Sequence, residues 1–227
     1  MAQETIPPEL IGSPAGELLA AIGGIHDRIE AAQSAFRAKA AESGAALGCP
    51  EGCGSCCENF VPDVLPVEAL AAAAFILGHR PDLAGRAAQS QGPTCPFYDA
   101  DRPEAHCSIY PGRPLVCRLF GFAAVLGKDG EPSFALCRHM PSPVGNGERA
   151  WSDEALRGLF GAVPPVMAAF GAELLGLEPD AAGERRPLPE ALPAAIARLG
   201  LALRYASLGR GDDGDEPEPN APSPRAA

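Results

Sequence analysis

The sequence predicts a mainly α fold, a helical domain with an irregular Cys-rich centre and one short β-hairpin. Three observations carry that prediction. Apolar residues recur at spacings of three and four in both flanks of the chain, the signature of amphipathic helices. Alanine, the strongest helix former, fills 42 of 227 positions, while 26 Gly and 25 Pro supply frequent breaks. All eight cysteines, Cys49, Cys53, Cys56, Cys57, Cys95, Cys107, Cys117 and Cys137, fall within 89 consecutive residues, 49–137, which carry few regular patterns.

Residues 1–12 read as a flexible arm. Ser13 followed by Pro14 is an N-cap and first-turn pair. Leu18, Ile22, Ile25, Ile29, Ala32 and Phe36 then form one apolar stripe of a helix running to about residue 43, within a helical flank 13–46. Gly44 and Gly48 end it and deliver the chain to Cys49. Gly52 and Gly54 suit the positive-φ turns of a tight loop. Pro66 starts a second helix whose Val67, Leu70, Ala71, Ala74, Phe75 and Leu77 face a core, ending near Gly78. A third short helix is expected over 81–91, then turns over 94–114, then one helical turn over 114–120 that holds Cys117 and Arg118. Segments 122–126 and 132–136, joined through Gly127-Lys128-Asp129-Gly130, read as the hairpin, returning Cys137 toward Cys117. Residues 152–176 are expected as a helix capped by Ser152 and kinked at Pro164-Pro165. A last helix over 189–207 carries Leu192, Ile196, Leu199 and Leu203. Acidic and proline residues alternate over 208–227, which predicts a disordered acidic Pro-rich tail. Residues 13–207 therefore read as a single domain with a cysteine core at 49–137 between helical flanks 13–46 and 152–207.

Charge narrows the function classes. With 18 basic and 29 acidic residues the net charge is −11, and Lys39 and Lys128 are the only lysines. No basic stripe exists to neutralise phosphates, so neither nucleic acid nor an anionic membrane surface is expected as partner, and a protein partner is left open. No apolar run approaches the roughly 20 residues that span a bilayer. The first residues lack a basic, apolar leader, so a cytoplasmic location is expected. Thiols there stay reduced, which turns eight cysteines from a disulfide framework into candidate metal ligands. Cys49-x-x-x-Cys53-x-x-Cys56-Cys57 crowds four thiols into nine residues, and thiolates that close repel unless a cation sits among them.

Cys49-x-x-x-Cys53-x-x-Cys56-Cys57, Cys95-Pro96-Phe97 and Cys107-Ser-Ile-Tyr110-Pro-Gly-Arg113-Pro114-Leu-Val-Cys117-Arg118 together resemble the YkgJ-type cysteine-cluster family (CxxCxxCC), described as chelating zinc or iron. Here one residue more separates the first two cysteines than the family's pattern has. The resemblance implies metal binding by these cysteines. Flagellin lysine N-methylases carry a similar cluster, but no Gly-rich strand-turn-helix exists here to hold S-adenosylmethionine, so the methylase activity is not carried over. Cys49, Cys53 and Cys56 also have radical S-adenosylmethionine spacing, without the alternating parallel strands and helices which that class needs. A metal-dependent modifying enzyme and a zinc-stabilised helical interaction module therefore stand as alternatives to a structural or redox metal protein.

Eight thiolates can form two four-thiolate zinc sites, one cubane plus a second site, or a cluster with spare cysteines. Arg113 and Arg118, flanking Cys117, are placed to offset thiolate charge through sulfur or nearby carbonyls. Phe97, Tyr98, Tyr110 and Phe120 would shield a cluster, which tips the expectation from zinc toward iron–sulfur. His106 and His139 lie next to cysteines and are candidate ligands or supports. His26 and His79 are expected at the surface.

Overall fold

The computed structural model describes residues 6–49, 53–87, 92–101, 106–181 and 183–209. The expectations for 1–5, for Pro50-Glu51-Gly52 within the cysteine loop, for 88–91 and for the tail from 210 lie outside those residues. Seven α-helices dominate the rest: α1 (Pro14–Glu42), α2 (Ser55–Glu58), α3 (Pro66–His79), α4 (Leu115–Leu119), α5 (Asp153–Phe160), α6 (Met167–Leu177) and α7 (Leu188–Gly209). The short strands are β1 (Asp63–Val64), β2 (Val125–Leu126), β3 (Pro132–Ala135), β4 (Ala150–Ser152) and β5 (Arg186–Pro187).

α1 is the spine of the fold. The Ser13 hydroxyl accepts from Gly16 N at 3.1 Å and donates to the Leu10 carbonyl at 2.7 Å, closing the helix start. Its 29 residues give a rod about 40 Å long at about 1.5 Å per residue. Along that rod α1 meets three apolar clusters in turn. Leu19 joins the cluster of α3 and α7; Ile22, Ile25 and Ile29 join one with Leu65, Leu115, Leu119 and Leu174; Phe36 and Ala40 join one with Phe134, Trp151, Leu156 and Phe160. In the last cluster Phe36 meets Phe134 edge-on, with ring centroids 5.7 Å apart, a geometry worth about 1 kcal/mol beyond area burial.

α3 is apolar nearly all round and packs between α1 and α7. It nevertheless buries Glu68, at 1% exposure, which sequence reading did not single out. One carboxylate oxygen accepts from Leu65 N at 2.9 Å and the other from Leu115 N at 2.8 Å. The first bond caps α3 and the second fixes the start of α4, the helix that carries Cys117. Burial raises the Glu68 pKa, and the two backbone N–H groups and Arg185 act against that rise.

Several local expectations change. Within the arm expected over 1–12, Pro8–Leu10 form a 3-10 turn and Leu10 is wholly buried in the core. Over 81–91 the described residues form a 3-10 turn at Pro81–Leu83 followed by turns, not a helix. The segment 152–176 is two helices rather than one kinked helix: Gly161 ends α5 at φ 68°, and the prolines occupy the connection to α6. Ser152 makes no side-chain cap. The hairpin forms between β2 and β3, and β4 adds an antiparallel third strand through Phe134 and Trp151. A separate two-stranded pairing joins β1 to β5. No helix among the described residues is long and apolar enough to cross a membrane.

Candidate metal centre

One face of α1, from Leu19 to Arg37, forms a wall of a cavity of about 720 Å³. All eight cysteines of the chain also line it. They reach it from five separate segments. Cys49 lies just beyond the end of α1, Cys53 precedes α2, and Cys56 and Cys57 lie within it. Cys95 and Cys107 belong to two turn segments joined by an isolated antiparallel bridge between Tyr98 and Cys107, with Ser108 N donating to the Phe97 carbonyl at 2.9 Å. Cys117 sits on α4, and Cys137 follows β3.

Local backbone bonds explain the convergence. Cys95 N donates to the Cys57 carbonyl at 3.0 Å, tying two distant motifs together. Gly54 is required for a different reason than a positive-φ turn. Its φ is −107°, and a Cβ there would lie 2.4 Å from Cβ of His106, so only glycine allows the two segments to touch.

The thiols are electrostatically linked. Burial, together with Cys53, Cys56 and Cys137, pushes the Cys49 thiol up to about 11. Burial, Cys95 and Cys107 also raise Cys117, and burial raises Cys95. The sulfurs of Cys56 and Cys57 lie 4.0 Å apart. Interaction with Cys107 and Cys56 raises the Cys57 thiol, and interaction with Cys57 lowers Cys56 and Cys107. The Arg113 guanidinium, stacked 3.4 Å over the Tyr110 ring, favours the thiolate at Cys56, Cys107 and Cys117. Eight thiols, the Arg113 guanidinium beside three of them and a partly apolar lining match the donor chemistry of a thiolate metal centre. No closed shell is preformed: among the described residues, no three Cys, His, Asp or Glu side chains are grouped to hold a metal ion.

The basic residues flanking Cys117 divide the work. Arg118 is buried and serves carbonyls rather than sulfur. Its Nε donates to the Arg113 carbonyl at 2.9 Å, one Nη pairs with Glu30 at 2.7 Å, and the other donates to the Pro111 carbonyl. Of the four aromatic residues expected to shield a cluster, Tyr110 and Phe120 line the cavity, joined there by Phe60 and Phe122, while Phe97 is wholly buried in the core.

The histidines exchange roles. His106 takes φ 46° and sets Nδ1 3.1 Å from the Asp99 carbonyl, and His139 pairs with Arg138; neither lines the cavity. His26, expected at the surface, lines it from α1 at 8% exposure, and its Nε2 has no hydrogen-bond partner. The signal was in its position: His26 lies four residues after Ile22 and three before Ile29, on the apolar stripe.

Burial first, then Arg118 and Arg113, lower the His26 pKa from 6.5 to about 3. An unfolded chain takes up a proton there below pH 6.5 and the folded chain does not, so stability falls as the solution is acidified through that window. Between pH 7 and pH 5 the native chain should lose about 2 kcal/mol more than a His26→Leu variant, at about 1.4 kcal/mol per unit. Urea midpoints of both proteins at the two pH values measure this, and parallel losses would refute it.

Residues 48–140 match the CxxCxxCC family model, whose description is "Putative zinc- or iron-chelating domain". No curated protein and no solved structure matches the chain.

Proposed function

We propose, on the premise that residues 48–140 match a zinc- or iron-chelating domain, that the thiol-lined cavity is the functional centre and that metal held there carries the protein's role. One observation supports this above the others: eight cysteines spread over 89 residues all border a single cavity. Ordinary buried cysteines scatter through a core as small hydrophobes. These do not.

An iron–sulfur cluster with a redox role is the reading we favour. The cavity is wider than a closed single-ion shell requires, and Leu19, Ile22, Ala71 and Ile109 give it the apolar lining that keeps water from inorganic sulfide. Arg113 supplies positive charge beside three of the thiols. Zinc, in a structural role, is a second reading, favoured by the exposure of Cys49 and Cys56.

Anaerobic purification followed by metal and sulfide analysis and a visible spectrum separates the two. Iron and sulfide in equal amounts with visible absorption are expected. A colourless protein with stoichiometric zinc would select the second reading, and a protein that takes up neither metal would overturn the proposal.

A further inference from the structure

The cavity beside α1 is larger than a metal needs. An ion held by sulfurs at about 2.3 Å fills a small part of 720 Å³, whereas pockets of about 300–1,000 Å³ are those that take small organic molecules. The lining says which kind. His26 borders the cavity at 8% exposure, and its Nε2 is buried with no hydrogen-bond partner among the described residues. A buried polar atom left in that state is costly, and an atom of a bound molecule would satisfy it. Gly23, one turn earlier on α1, borders the same space and puts no side chain into it.

The charged groups of the lining are already engaged. Arg118 pairs with Glu30 and two carbonyls, and Gln33 donates to the Arg118 carbonyl. Arg113 donates through Nε to the Tyr110 carbonyl and stacks on the Tyr110 ring, and Arg37 lies over Phe122 at 5.1 Å from the ring centroid. Asp27, the remaining acid of the lining, is exposed. A buried imidazole is itself neutral, and it donates from one ring nitrogen and accepts at the other. It suits a hydroxyl or carbonyl oxygen better than an ion.

Apolar surface supplies the rest of the lining. Phe60, Phe120 and Tyr110 border the cavity with 39%, 41% and 46% of their surface exposed, and the Phe60 and Phe120 rings have centroids 6.5 Å apart. Exposed rings grouped at one opening favour an apolar, flat partner. Leu19, Ile22 and Ile109 continue that apolar surface into the buried part.

We propose that the cavity binds, beside the metal centre, an uncharged aromatic molecule carrying a hydroxyl or carbonyl oxygen, its ring on the Phe60 and Phe120 side and its oxygen paired with His26. The proposal rests on the reading of this cavity as the functional centre and adds the class of molecule that reaches it.

Equilibrium dialysis of the anaerobically purified full-length chain at pH 7 tests this with three probes of one shape: 2-naphthol, naphthalene and 2-naphthoate. The first should bind saturably at one per chain. Naphthalene, which lacks the oxygen, should bind about five- to tenfold more weakly, and the charged naphthoate should also bind more weakly than 2-naphthol. His26→Leu should bring 2-naphthol down to the level of naphthalene. Phe120→Ser, at an exposed position, should weaken both, and it keeps the test decisive if the His26 variant does not fold. No saturable binding of 2-naphthol, naphthoate binding as tightly as 2-naphthol, a folded His26→Leu chain that still prefers 2-naphthol to naphthalene, or unchanged binding in Phe120→Ser would overturn the proposal. Metal and sulfide content, measured on the same samples, separates it from the metal reading. Metal held by a chain that rejects 2-naphthol would overturn this proposal alone, and 2-naphthol bound by a chain that takes up no metal would overturn the metal centre and keep the aromatic site.

Discussion

Stripping the metal should lower the melting temperature of the protein by about 10 °C or more, a loss of several kcal/mol in a chain of this size. The reason lies in how little regular structure holds the cysteine segments. From Cys95 to Phe122 the described chain contains one five-residue helix and a 3-10 turn at Tyr110–Gly112; Phe97, Ile109, Leu115 and Leu119 anchor it in the core and Arg118 pairs with Glu30, but few backbone bonds fix the sulfurs themselves. Raised thiols at Cys49, Cys57, Cys95 and Cys117 keep protons in the metal-free protein. Metal must displace those protons, so binding weakens in acid and its free energy is large where the ligands are deprotonated. Calorimetry of the loaded protein before and after treatment with a strong chelator measures the effect. Replacing Cys95 and Cys107 with serine should reproduce most of the loss, because those residues sit inside the α3 and α7 cluster. Replacing Cys49 and Cys53 should cost less, since Cys49 is exposed. A chelated protein shown to be metal-free that melts at the original temperature would end the claim that metal supports this fold.

The sequence carried the helices well because each is specified locally. Ser13-Pro14, the stripe from Ile22 to Phe36 and the start at Pro66 are nearest-neighbour signals, and α1 and α3 begin where those signals stand. What it left hidden depends on partners far along the chain. Glu68 looks like a solvated first-turn carboxylate until Leu115, 47 residues later, brings a backbone N–H to it. β4 completes a sheet with β3 across the 136–149 loop, a pairing that no period-2 pattern around Trp151 announces. His26 is buried by its helical phase, on the stripe with Ile22 and Ile29, and the cysteines it faces lie far along the chain. The cysteine spacing revealed that the thiols belong together. That Cys95 and Cys107 enter the α3 and α7 cluster while Cys137 packs against the Phe36 and Trp151 cluster is something spacing does not encode.

Arg118 carries the second large effect. Its side chain is 5% exposed and paired with Glu30, which is 39% exposed. Burial, above all, lowers its pKa to about 10, so it stays charged at neutral pH and depends on its acceptors. Those acceptors span the site: Glu30 on the α1 wall, the Pro111 carbonyl in the 3-10 turn, and the Arg113 carbonyl just before α4. Gln33 of α1 in turn donates to the Arg118 carbonyl at 2.9 Å. One guanidinium thereby ties the helix wall to the loop that presents Cys107, Arg113 and Cys117. Arg118→Ala should cost about 2–3 kcal/mol, mainly because it strands two carbonyls, while loss of the pairing with the part-exposed Glu30 adds less than about 1 kcal/mol. Arg118→Lys should recover only part of this, because an ammonium cannot reproduce the fork that reaches three acceptors at once. Urea denaturation gives the stability change. Competition with a chelator gives a second readout, because displacement of Cys117 should weaken metal binding even under conditions where the variant is fully folded. Native-like stability in Arg118→Ala would show that the loop is held by the apolar contacts of Leu115 and Leu119 alone. Unchanged metal affinity in a folded Arg118→Lys would show that the tie does not reach the sulfurs.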